Sequence, residues 1–166
     1  MEREQILNEI ISTQSLPDYE AFDALWAAMT KVADVMQGEG QREGDLDRQE
    51  MESLFKKLSE EEIKRLLKDG SVVSLIFLDP PLETVIVDPD EKPVEDSTMR
   101  IIAEVRSSRD SAPREALANL GEILRRIRDK LAHGFKTKSG SGNNEVLLPA
   151  RKILYLICIL TVSKLD

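Results

Sequence analysis

Reactive side chains are scarce in this sequence. A single histidine, His133, and a single cysteine, Cys158, stand among 166 residues. A zinc site built on two histidines, or on a cluster of thiolates, is therefore out of reach of one chain. A lone cysteine closes no intramolecular disulfide, and Cys158 lies in the apolar run Ile153 to Val162, where it reads as a small core hydrophobe. Aromatic residues amount to only 4%, and strand-forming runs are few, which points to helix rather than sheet. No glycine-rich phosphate loop of either common kind is present. Carboxylates abound, yet none pair at a spacing that suggests a metal or glycosidase centre, and no serine stands in a strained turn motif. The longest apolar run, Ile153 to Val162, falls short of the roughly 20 residues that cross a bilayer. The N-terminus, MEREQILNEI, is acidic and amphipathic, unlike a signal peptide. These absences predict a cytoplasmic protein with no membrane partner.

The composition that is present, 41% hydrophobic and 33% charged, is that of a soluble globular protein. The length suits one domain over residues 1–166 with a core of its own. A net charge of −8 argues against broad, non-specific binding of nucleic acid. The charge is uneven, however. From Arg114 to Lys138 seven basic residues face three acidic ones, a local charge of about +4 that suits a small anionic ligand.

Hydrophobic spacing predicts an all-α chain. Residues 1–15 form a short helix with Ile6, Leu7, Ile10 and Ile11 on one side. A helix from about Asp18 to Met36 follows, with Phe22, Leu25, Trp26, Met29, Val32, Ala33 and Met36 at three-four spacing after the start signal Pro17-Asp18. Trp26 reads as core packing rather than as a stacking platform. Beyond the polar connection Gly38 to Gly44, a helix from about Asp47 to Leu58 turns Met51, Leu54 and Phe55 inward. Ser59 and Glu62 have the spacing of a capping box, opening a helix that runs to Asp69 and closes at Gly70. From about 71 to 95 the pattern changes to a small irregular or β-hairpin insert. Two short strands flank Asp79-Pro80-Pro81, the second at Thr84 to Val87, although the first run, Val72 to Leu78, fits a buried helix equally. Helix returns from about Thr98 to Ser107, with Met99, Ile102, Ala103 and Val105 as its apolar members. After the polar loop Lys136 to Asn144, a last helix from about Leu148 to Lys164 is apolar almost all round, as suits the centre of a core.

The rest of the chain is organised around Leu117 to Phe135, LANLGEILRRIRDKLAHGF. Leu117, Leu120, Ile123, Leu124, Ile127 and Leu131 share one arc at about 100° per residue, so this face is expected to be buried. Pro113 suits the first turn of this helix, and Gly134 its close. His133 then falls at the helix end, with Arg128 a little over one turn earlier.

The run Arg128-Asp129-Lys130-Leu131-Ala132-His133-Gly134 at the end of an amphipathic helix resembles the signature of the HEPN (higher eukaryotes and prokaryotes nucleotide-binding) superfamily. The resemblance covers roughly Thr98 to Asp166, and the helix at Asp18 to Met36 fits as the first of the bundle. It implies an up-and-down helical bundle, a homodimer, and a metal-independent endoribonuclease using the arginine and histidine of both subunits. It also implies a toxin or anti-phage defence factor, with a cognate antitoxin or other protein as partner. RNA is the expected substrate, and no cofactor or metal is called for. His133 would be general acid and base, and Arg128 would hold the scissile phosphate. One histidine cannot comfortably serve as base and acid at once, whereas two copies in a symmetric dimer can. Arg125, Lys130 and Lys136 are the candidate substrate contacts.

Two positions depart from the family. Asp129 stands where asparagine is usual; four residues before His133, it could orient the imidazole or repel RNA. Phe135 stands where one toxin branch carries a modified tyrosine, which argues against membership of that branch. A non-catalytic module that binds nucleotide, RNA or a protein partner is the alternative, and a purely structural helical dimer is a third reading. In such cases Arg128 would pair with a carboxylate or cap carbonyls, His133 would sit against the helix dipole, and Arg125 and Lys130 would belong to a solvated face.

Overall fold

Among the described residues, the apolar residues that recur three and four apart lie in helices. The computed structural model describes residues 2–38, 44–78, 95–132 and 141–166, with the backbone alone at 95–97, 130–132 and 141–144. Within them are α1 (Glu2–Ser12), a 3₁₀ turn (Thr13–Ser15), α2 (Asp18–Gln37), α3 (Arg48–Phe55), α4 (Glu60–Leu67), α5 (Gly70–Ile76), α6 (Glu95–Ser108), α7 (Pro113–Ala132) and α8 (Ser141–Val162). No strand occurs among the described residues, and the architecture is an all-α helical bundle.

Two sets of helices share one core. On one side α2 lies along α8, with α1 and α5 also packed on α8; on the other α6, α3 and α4 pack on α7. The short α4 touches both α7 and α8, joining the sets. Trp26, Phe22, Leu25 and Met29 of α2 are fully buried, as are Leu120 and Ile123 of α7 and Ile153, Leu154 and Ile157 of α8. Cys158 is buried beside them and its thiol donates to the Leu25 carbonyl at 3.3 Å. Burial pushes that thiol far above its ordinary value, so it is an inert packing group.

Capping decides several boundaries. Ser59 and Glu62 form the expected capping box: the Ser59 N–H donates to Oε1 of Glu62 at 2.8 Å and the Glu62 N–H to Oγ of Ser59 at 3.1 Å. Asp47 and Glu50 make a second such box at the start of α3. Arg151 of α8 ties down the α1–α2 junction, donating to the carbonyls of Thr13 and Leu16 and to Oδ1 of Asp18 at 2.8–2.9 Å.

The structure departs from the sequence reading in several places. Gly70 does not close α4 but opens α5, because Asp69 caps a new helix by accepting from the Ser71 N–H at 3.0 Å. Of the two readings left open for the run after it, the structure has the buried helix: Val72, Leu75 and Ile76 are buried while Val73 and Phe77 are exposed, so packing on α8 overrides the β-branched preference. The expected second strand, Thr84 to Val87, and the proline turn lie outside the described residues. α6 begins at Glu95 rather than near Thr98 and buries only a narrow face, with Ile102 and Val105 inside and Met99 and Ala103 exposed. α8 begins at Ser141, before the predicted Leu148, and carries Pro149 within it; serine and asparagine are poor only in a helix interior and suit a first turn. Ile11, expected to face inward, is 47% exposed.

Gly121 of α7 faces Met51 and Phe55 of α3 with little room to spare. A β-carbon there would stand 3.0 Å from Cε2 of Phe55 and 3.3 Å from Sδ of Met51. Gly121→Val is therefore expected to lower stability by about 2 kcal/mol, since a branched side chain must push α3 away. Urea unfolding followed by circular dichroism checks this, and an unchanged midpoint would show that α3 yields freely.

Candidate functional site

The apolar arc of α7 is seated as its periodicity requires, with Leu117, Leu120, Ile123, Leu124 and Ile127 all buried. That orientation fixes where its arginines go. Glu122, only 5% exposed, takes in two of them. Arg125 donates from Nε to Glu122 at 3.0 Å and from Nη1 to Asp129 at 3.4 Å. Arg126 donates to Glu122 at 3.4 Å and to Oγ1 of Thr98 at 2.6 Å. Burial alone would raise the Glu122 carboxyl, but the hydrogen bonds and charges of Arg125 and Arg126 outweigh it and hold it below the ordinary glutamate value.

Asn119, 2% exposed on the same helix, forms a second buried polar link. Its amide oxygen accepts from Nη2 of Arg48 at 2.8 Å, and its amide nitrogen donates to Oε2 of Glu104 at 3.2 Å. The bond joins α3, α7 and α6 and satisfies an amide that would otherwise be costly to bury.

Arg128 stands apart from these pairs. Its guanidinium carbon lies 5.8 Å from the centroid of the Trp26 ring, a cation–π arrangement. Its Nη1 donates to Oδ2 of Asp45, and its Nε is buried with no hydrogen-bond partner. Oδ1 of the same Asp45 accepts from the Trp26 indole Nε1–H at 2.8 Å and from the Leu46 N–H at 3.0 Å. Trp26 is thus core, as its spacing predicts, and also the floor under the motif arginine. The Arg128 side chain keeps 29% of its surface exposed, so an oxyanion can still reach it.

Asp45 is the residue that sequence reasoning missed. It sits in the α2–α3 connection, just after Gly44, whose φ of +79° is open to glycine without strain. Nothing in its neighbourhood marks it, because its partner is 83 residues away. Its presence alters the charge balance. Glu122 and Asp129 already belong to the charge count of residues 114–138; Asp45 brings one further carboxylate to the arginines, and it is the one that pairs with Arg128.

Of the predicted site residues, Arg128, Asp129 and Arg125 are thus placed close together at the C-terminal end of α7. Asp129 is paired with Arg125, which also holds Glu122. Lys130 lies in the same helix, its side chain outside the described residues, and His133, Gly134 and Lys136 are outside them altogether. Among the described residues, no three of His, Cys, Asp or Glu group as metal ligands would. No helix among them is long and apolar enough to cross a membrane. An open groove of roughly 800 Å³ runs between α5 and α8 past Ser74, Leu148 and Lys152, on helices that carry none of the predicted residues. Compared with protein families, curated proteins and solved structures, the chain finds no match.

Proposed function

We propose that the chain is a metal-independent endoribonuclease of HEPN type, acting through a composite site at the interface of a homodimer. The observation that carries the reading is Arg128 itself. Its partly exposed guanidinium rests on an aromatic ring at the end of an amphipathic helix in an all-α bundle, five residues before the only histidine. In this reading Arg128 neutralises the phosphorane, His133 from each subunit supplies the base and the acid, and Asp129 is a positioning residue. Lys130 and Lys136 would follow the RNA backbone. A toxin or anti-phage defence factor is the setting that the resemblance implies, with an antitoxin or other protein partner.

The second reading, a non-catalytic module binding nucleotide, RNA or a protein partner, is favoured by one observation. Arg128 already holds a carboxylate. The two readings separate in one assay, cleavage of a mixed labelled RNA pool in EDTA. Wild type is expected to cleave, and His133→Ala and Arg128→Ala each to lose at least about 100-fold in rate with helicity intact. Silence of wild type over a wide substrate panel would transfer the conclusion to the binding module. Cleavage that survives His133→Ala would sink the site assignment. A monomer at micromolar concentration by sedimentation would sink the composite site.

A further inference from the structure

The carboxylate of Asp45 is held by an unusually complete set of donors. Three donors from three parts of the chain converge on it: the Trp26 indole Nε1–H from α2, the Leu46 N–H from the connection and the Arg128 guanidinium from α7. A guanidinium beside fixed N–H groups is the donor set that binds carboxylate and phosphate alike. Asp45 nevertheless remains 41% exposed on its side chain, so another anion can approach from solvent and compete for the guanidinium. An ion pair with both partners partly in water is weak enough for such competition.

We propose that Asp45 is an internal stand-in for the substrate phosphate: it holds Arg128 against Trp26 in the free protein, and a phosphodiester of single-stranded RNA takes over the guanidinium by displacing it. This rests on the reading of Arg128 as the phosphate-binding residue. An anion that shared the guanidinium with Asp45 would be repelled by that carboxylate, so displacing Asp45 strengthens its hold on Arg128. Asp129 is not the competitor, because its described partner is Arg125. The exchange also gives an acidic protein selectivity, since an anion gains Arg128 only where it binds better than the resident carboxylate.

Trp26 is the only tryptophan, so its indole N–H signal in a ¹⁵N-labelled sample reports the Asp45 bond without ambiguity. The experiment titrates wild type, Asp45→Asn and Arg128→Ala with inorganic phosphate, and then with a non-cleavable 2′-O-methyl oligoribonucleotide. Addition of either ligand to wild type is expected to move the indole signal and the Arg128 Nε–H signal together. Asp45→Asn keeps an oxygen for the indole and removes the charge; the Arg128 signal should then respond at about five- to tenfold lower ligand concentration. Arg128→Ala should abolish the indole response. Equal or weaker affinity in Asp45→Asn would overturn the proposal and leave Asp45 a structural tie. So would an indole signal in wild type that stays fixed while the RNA binds, and that readout holds even if Asp45→Asn fails to fold. Cleavage in EDTA is followed in parallel. An exchange seen without cleavage supports the displacement and counts against the nuclease; cleavage without exchange counts against the displacement alone.

Discussion

Trp26→Ala is expected to lower the free energy of unfolding by about 3–5 kcal/mol, the largest single effect among the substitutions considered. The side chain is 2% exposed and lies among Phe22, Leu25 and Met29, so its removal leaves a cavity that rigid helices fill only in part. A second loss adds to the first. The indole N–H anchors Asp45, and the ring supports the Arg128 guanidinium, so both charged groups lose a fixed neighbour. Trp26→Phe separates the two contributions, since it keeps most of the apolar bulk and removes the donor. Urea unfolding must be followed by far-ultraviolet circular dichroism, because the only tryptophan is the residue replaced. A loss below about 1 kcal/mol for Trp26→Ala would mean that the neighbouring helices close over the gap, contrary to this packing.

Glu122→Gln is the second. Glutamine keeps the size of the side chain but removes the charge that two arginines share, and Glu122 is the most buried carboxylate of the motif helix. A loss of about 2–3 kcal/mol at neutral pH is expected, less than for a fully buried pair because Arg125 retains Asp129 and Arg126 retains Thr98. The pH dependence has a defined sign. A carboxyl held below its unfolded value contributes stability in full above the ordinary 4.5 and loses it as pH falls through the folded value. The gap in melting temperature between wild type and Glu122→Gln should therefore narrow as pH is lowered below about 4.5. Wild type and variant alike should still lose stability in acid, because Glu62, held low chiefly by the Ser59 backbone N–H, and Asp69, held low chiefly by the Ser71 hydroxyl, titrate in the same direction. A gap that stays constant down to pH 3 would show that the Glu122 charge is not what the arginines stabilise.

Much of the fold was legible in the sequence because helices advertise themselves locally. The buried arc of α7, from Leu117 to Ile127, follows from spacing alone, and so does the core stripe of α2. The Ser59–Glu62 box was legible for the same reason, both partners lying within one turn. The boundaries of α5 and α8 were not, since whether Val72 to Ile76 makes helix or strand depends on the α8 surface it meets. Asn119 and Glu122 show an intermediate case. Glu122 meets its arginines three and four residues on in its own helix, a local spacing, whereas the Asn119 link to Arg48 and Glu104 could be read only from three packed helices.

The same division runs through the site. By itself the sequence determined the helical class, the face of α7 that is buried, the core role of Trp26 and Cys158, and the position of Arg128 at the end of α7. All of these depend on residues within a few turns of one another. Only the tertiary structure decided what Arg128 touches. Asp45 reaches it because α2, α3 and α7 pack so that the α2–α3 connection passes the end of the motif helix, and no local pattern encodes a meeting between residues 83 apart. Periodicity tells which side of a helix turns inward; which charge waits on the other side is set by the packing of the whole bundle.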